Sequence, residues 1–224
     1  MNQKPTFNSL IRHYQTLWDT CSIDPERHGD VHKVCSKIVA NQKIYEQIEA
    51  ATKLPWFLVA SLHSMECSLD FNRGLFNGEP WHRPTKLVPA GLGPFKSFQD
   101  CAIEALKFKG LVYLGSLSLE RMLYLAEDYN GWGYIRYHRR DRSPYVWACT
   151  SANDGTGKYV ADGKYDPNAP SEGQVGVAAI FKWLHSHKYI ALHRELEGVP
   201  ETSLSDTRQE KPSLVDKVKG WFNT

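Results

Sequence analysis

The feature that most constrains this chain is one apolar stretch, Leu54-Pro-Trp-Phe-Leu-Val-Ala-Ser-Leu-His-Ser-Met-Glu-Cys-Ser-Leu-Asp-Phe-Asn72. Pro55 suits a first helical turn, where its missing N–H costs nothing. Leu58, Leu62, Met65 and Leu69 recur at helical spacing and form a stripe that must be buried. Glu66 lies at the edge of that stripe, where the helix gives way to a polar loop. A carboxylate pressed against apolar side chains loses hydration, which disfavours its charged form. A general acid working near neutral pH needs that environment. The plain alternative is a boundary glutamate reaching to water or paired with His63.

Around this stretch the sequence reads as helices broken by loops. Phe7, Leu10, Ile11, Tyr14, Leu17, Trp18 and Cys21 predict an amphipathic helix. Val31, Val34, Cys35, Ile38 and Val39 predict a second, and Asn41 opens a third through Ile44 and Ile48. Residues 70–94 are dense in Gly, Pro and Asn, so turns dominate, with a weak strand signal at Thr85-Lys-Leu-Val. Ser97 and Asp100 resemble a capping box before the next helix. A further helix ends at Asn130-Gly-Trp-Gly. A basic loop (136–142), Ser143-Pro-Tyr-Val-Trp and an irregular Gly/Asp stretch follow, and a capping pair, Ser171 and Gln174, predicts a last core helix. The expected fold is mostly α (α+β): a helical domain over residues 1–197 with a small loop-rich β region. Residues 198–212 read as a linker and 213–224 as a short amphipathic helix bearing Leu214, Val215, Val218, Trp221 and Phe222. That helix has three candidate roles: docking on the domain, filling a partner's groove, or peripheral contact with a membrane.

Composition removes several function classes. Across 224 residues the formal charge is only +2, so nucleic acid is not an expected partner. Five cysteines stand singly, at 21, 35, 67, 101 and 149, and suggest neither a disulfide framework nor a zinc site. Nine histidines show no H-E-x-x-H spacing, so neither metal nor other cofactor is expected. Cys67 with His63, or Cys149 with His138, would make a nucleophile–base pair, but no surrounding signature supports either. The chain shows neither a signal-peptide h-region nor a run of transmembrane length, so synthesis in the cytoplasm is the expectation.

Seven Trp, eleven Tyr and the amides of Asn72, Asn77 and Asn130 fit a glycan, whose faces stack on rings and whose hydroxyls bond amides. A glycosidase needs an acid for the leaving oxygen, and a base, a nucleophile or substrate assistance for the second half of the reaction. Glu79 and Asp70 are the nearest carboxylates to Glu66 in sequence, and Asp162 is a more distant one.

His63-Ser-Met-Glu-Cys-Ser-Leu-Asp-Phe-Asn72, Asn77-Gly-Glu-Pro80, Val88-Pro-Ala-Gly91, Tyr129-Asn-Gly-Trp-Gly-Tyr134, Ser143-Pro-Tyr-Val-Trp147 and Gly157-Lys-Tyr-Val-Ala-Asp-Gly-Lys-Tyr-Asp-Pro167 together resemble a group of bacterial and phage lysozyme-family proteins. They occur in the same order over roughly residues 10–190. Through Glu66 and the Tyr129-Asn130 pair the chain is also similar to goose-type lysozymes and lytic transglycosylases. It departs in carrying Cys67 where such proteins have serine after the acid, and Glu79 where they have aspartate.

The resemblance implies a lysozyme-like fold and cleavage of the β-1,4 bond between N-acetylmuramic acid and N-acetylglucosamine, with Glu66 as acid; Glu79 is the candidate second catalytic residue, which would orient a water. His63, Ser68, Asn72, Tyr129, Asn130, Tyr134 and Trp147 are the expected substrate-binding residues. Water as acceptor gives hydrolysis, and the muramic hydroxyl gives a 1,6-anhydro product. A binding protein that kept the fold without activity is the rival. The expected partner is the peptidoglycan glycan strand, met by a monomer after endolysin-like release.

Overall fold

The computed structural model describes residues 4–195 apart from Val88 and Asp162. The expected linker and terminal amphipathic helix, and the candidate Asp162, lie outside the described residues. The architecture is mostly helical with one two-stranded sheet among the described residues. None of the described helices is long and apolar enough to cross a membrane.

Helix α4 (Trp56–Cys67) occupies the centre, and every residue in it except Glu66 is buried. It is therefore no ordinary amphipathic helix, because it needs neighbours on all sides. These are α2 (His28–Ala40), α3 (Gln42–Thr52), α6 (Leu119–Asn130) and α9 (Val177–Ser186). Helix α1 (Phe7–Thr20) packs on α6 from outside, and α5 (Phe98–Lys109) packs on α3. Two short helices, α7 (Gly133–His138) and α8 (Pro144–Trp147), follow α6, and a single 3-10 turn precedes α2.

Local signals fix the helix ends. The Thr6, Ser97 and Ser118 hydroxyls accept from the backbone N–H three residues on, capping α1, α5 and α6. Gly110 and Gly131 close α5 and α6 in the left-handed conformation.

The structure corrects three expectations. The sheet is not at Thr85, where the chain folds into turns held by Thr85 Oγ1 donating to the Pro89 carbonyl at 2.7 Å. It is an antiparallel hairpin, β1 (Thr156–Ala161) with β2 (Lys164–Pro170), pairing Tyr159 with Tyr165 and Ala161 with Lys164. Ser171 and Gln174 do not cap α9, which starts at Gly176 with no side-chain cap. Ser171 instead bonds Asn153, and Gln174 Nε2 donates to the Met65 carbonyl at 2.9 Å, tying the entry to α9 to the end of α4. The basic segment is partly helix α7, and Arg140 is spent on the hairpin, bonding the Thr156 carbonyl and pairing with Asp154 at 3.2 Å.

Two substitutions test this packing. Leu62→Ala, within the fully enclosed face of α4, is expected to lower unfolding free energy by about 2–5 kcal/mol in urea denaturation. Lys53→Gly, at an exposed left-handed position (φ 62°) ending α3, is expected to raise it by ~0.5–1 kcal/mol.

Candidate functional site

The last turn of α4 decides where the acid goes. Ser68 (φ 52°) and Leu69 (φ 58°) are both left-handed, so the chain reverses abruptly after Cys67. Leu69 turns back into the core, 3% exposed, while Glu66 looks into a cleft of about 960 Å³. Met65 and Glu66 form its floor. One side is the α6–α7 junction and α8, with Asn130, Tyr134 and Tyr145. The other is the hairpin with Lys158 and Tyr159, continued by Gly173 and Gln174.

Glu66 is held by one strong contact: the Tyr145 hydroxyl donates to its Oε1 at 2.8 Å. Burial pushes the Glu66 carboxyl above the usual range, and the Tyr145 bond and the Lys109 ammonium pull partly the other way. Burial therefore wins, and the group retains its proton to higher pH than a surface glutamate. Among the described residues that line the cleft, Glu66 is the sole carboxylate.

The hairpin wall stands on an aromatic cluster. His138 stacks on Tyr165 with centroids 3.6 Å apart, and its Nε2 lies 3.0 Å from the Tyr159 hydroxyl. The Tyr134 hydroxyl accepts from the Tyr159 backbone N–H at 3.3 Å. Gly133 is required by close approach: a Cβ there would stand 2.8 Å from the Tyr159 hydroxyl. Lys158 reaches across toward Gly173, where an added Cβ would lie 3.5 Å from its Nζ.

Of the residues expected at the site, Glu66, Asn130 and Tyr134 come together in the cleft. The others do not line it. Glu79 is a correction: its Oε2 accepts from the Lys86 and Leu87 backbone N–H groups at 2.8 and 2.7 Å, and from Asn77. Those bonds hold its carboxyl below the usual range and make it the organiser of the 77–87 loop rather than a base beside Glu66.

His63 is fully enclosed, with Nδ1 3.0 Å from the Tyr45 hydroxyl and Nε2 3.2 Å from the Asp70 carbonyl. Burial lowers its pKa to about 4, so it is a neutral brace and cannot touch substrate. Trp147 is 0% exposed and packs toward Tyr14 in the core. Its neighbour two residues back, Tyr145, takes the cleft position instead, because one turn of α8 sends the two rings in different directions.

Ser68 is exposed at the α4 terminus, and the Asn72 amide closes a turn onto Asp70 Oδ1. Tyr129 is buried, its hydroxyl donating to the Leu75 carbonyl at 2.6 Å, and so supports the loop from beneath. Cys67 donates to the Gly74 carbonyl at 3.3 Å, which commits the thiol to the same loop.

Sequence reasoning passed over Glu127. It is 2% exposed, and its oxygens accept from Ser143 Oγ and from Asn130 Nδ2. Its spacing was the available signal, since i and i+3 share a helix face and Glu127 sits that far before Asn130. Among the described residues no three His, Cys, Asp or Glu side chains converge on a metal position. No family model, curated protein or solved structure matches this chain.

Burial lifts the Glu127 pKa from 4.5 to about 7, so the folded state holds this proton more tightly than the unfolded chain. The resulting stability is fully present below pH 4.5 and is lost as pH rises through about 7. The expected loss is about 3 kcal/mol. Chemical denaturation between pH 4 and 8 is expected to show that decline, and the Glu127→Gln protein is expected to show a flatter profile.

Proposed function

We propose that the chain cleaves a β-1,4-linked N-acetylated glycan, the peptidoglycan strand, with Glu66 as general acid. The observation that carries this reading is the half-buried Glu66, its pKa raised by burial, at the floor of an open cleft and bonded by the Tyr145 hydroxyl. The lysozyme-family resemblance of the surrounding motifs agrees with it.

In this mechanism the Glu66 carboxyl gives its proton to the glycosidic oxygen as the C1–O bond breaks and positive charge develops on the sugar ring. The carboxylate that remains then takes the proton of the attacking hydroxyl as the new C1–O bond forms. One residue thus serves both halves of the reaction. Because Glu79 is committed to the Lys86 and Leu87 amides, the reading favours Glu66 itself as base. That arrangement suits attack by the muramic C6 hydroxyl and release of a 1,6-anhydro sugar. Mass analysis of digested walls separates the two outcomes: anhydro-muropeptides are the expected product, and purely reducing-end products assign the reaction to hydrolysis.

Lys158 favours an acidic glycan over neutral chitin, because its ammonium lies along the cleft wall where a stem-peptide or lactyl carboxylate would pass. Lys158→Met is expected to lower kcat/KM on peptidoglycan about tenfold, the loss of one charge-assisted bond, with little effect on chitooligosaccharides.

Glu66→Gln is expected to cut kcat by about 10²–10⁴ with folding intact, and wall lysis by this variant at the native rate overturns the proposal. The pH profile carries a sign. Activity falls as pH rises through the raised Glu66 pKa, and Tyr145→Phe removes a bond that favours the carboxylate, so the alkaline limb moves to higher pH.

A further inference from the structure

Among the described residues two acids on α6 are almost wholly enclosed; Glu120 pairs with Arg194 at 2.7 Å, and Glu127 has no such partner and does not line the cleft. Glu127 stands on α6 among apolar residues, and no ion pair relieves it among the described residues. Tyr14 from α1, Tyr134 from α7 and Tyr145 from α8 lie near it, each made harder to ionise first by burial and in smaller part by its charge. A carboxylate buried without a cation is strongly unfavourable, and an apolar residue of similar size packs better. Its presence calls for a role other than holding the core together.

Its bonds indicate one. Oε1 accepts from Asn130 Nδ2 at 3.4 Å, and Oε2 accepts from Ser143 Oγ. Asn130 ends α6 and lines the cleft. Ser143 is the N-cap of α8, its Oγ also accepting from the Val146 N–H at 3.4 Å, and α8 carries Tyr145, which bonds Glu66. One carboxyl group therefore holds two elements of the same cleft wall, the end of α6 and the start of α8. Above its raised pKa of about 7 the group is a carboxylate, which only accepts, and there it fixes which end of the Asn130 amide faces it. The nitrogen turns inward, and the oxygen remains as an acceptor for the cleft.

We propose that Glu127 is a positioning residue, which presents the Asn130 amide oxygen to an N–H donor of the glycan, such as a sugar acetamido group, and anchors the helix that aims Tyr145 at Glu66. This rests on the reading of the cleft as a glycan site and deepens it: the residue beside the scissile sugar accepts rather than donates.

The test is a double-mutant cycle on the full chain, assayed on purified peptidoglycan strands. N130A is expected to raise KM. E127Q, nearly the same shape, offers an N–H₂ where the wild type, assayed at pH 8 above its pKa of about 7, only accepts. It is expected to reproduce that rise, with kcat/KM falling about tenfold or more, the loss of one hydrogen bond to the sugar. Its melting temperature at pH 8 is expected to equal or exceed that of the wild type, whereas loss of a purely structural prop would lower it. In the N130A background E127Q is expected to add less than about twofold, because its effect on binding passes through Asn130.

Wild-type kinetics in E127Q, or full multiplication of the two losses, overturns the proposal. If E127Q does not fold, E127D tests the clamp by reach instead, since it keeps the charge but draws it back by one methylene from Asn130 and Ser143, and wild-type kinetics in it overturns the proposal. A second readout needs no turnover. The side-chain amide resonances of Asn130, assigned by their loss in N130A, are expected to shift in E127Q, and unchanged resonances overturn the positioning role. A wild type that cleaves no glycan while those resonances do shift refutes the glycan reading and leaves the Glu127–Asn130 clamp in place.

Discussion

Everything near the cleft depends on α4 being wrapped on all sides. A helix without a polar face is costly to leave in water, so α2, α3, α6 and α9 close around it, and Glu66 is its one residue outside the core. The desolvation that raises the Glu66 pKa is thus a by-product of how the domain folds. The left-handed pair Ser68–Leu69 completes the arrangement by ending the helix one residue after the acid. Non-glycine residues held in that conformation are uncommon in a well-packed chain and cluster where geometry serves a purpose.

The domain keeps its carboxylates in three different conditions. Glu66 is half-buried and bonded by one phenol, which suits proton donation. Glu79 accepts two backbone N–H bonds, which suits permanent ionisation and the shaping of a loop. Glu127 is sealed inside and bonded by an amide and a hydroxyl. Environment alone separates these residues of identical chemistry, and sequence proximity to Glu66 was a poor guide to which ones share its cleft.

The helices were legible because their apolar spacing and caps act locally: Ser97 with Asp100, and Gly131 after Asn130, sit where the pattern places them. Glu66 was legible for a similar reason, being the one acid inside an otherwise apolar run. The hairpin was missed although its signal was present, since Asp162-Gly163 separates Tyr159-Val-Ala161 from Lys164-Tyr165, a common two-residue hairpin spacing. Its strands are short and mostly polar, so no alternating stripe announced them. His63 and Trp147 were misplaced for a different reason. Whether a residue with a polar atom lines a cleft or braces a core is settled by long-range partners such as Tyr45 and Tyr14, which spacing does not reveal. Glu127 was hidden by the same limit.

The hairpin wall has a consequence of its own. Two strands of six and seven residues do not hold together unaided in water. Here they are fastened to the helical body by the Arg140 bonds to Thr156 and Asp154 and by the Tyr134–His138 cluster, not by a continuous apolar interface. The two sides of the cleft therefore differ in permanence. The α4–α6–α8 side is built from packed core helices, whereas the hairpin side is fastened in part by a charged contact, Arg140 with Asp154, that salt screens. On the glycan reading proposed above, a strand lying in the cleft would rest between one wall set by the core and one held by surface contacts.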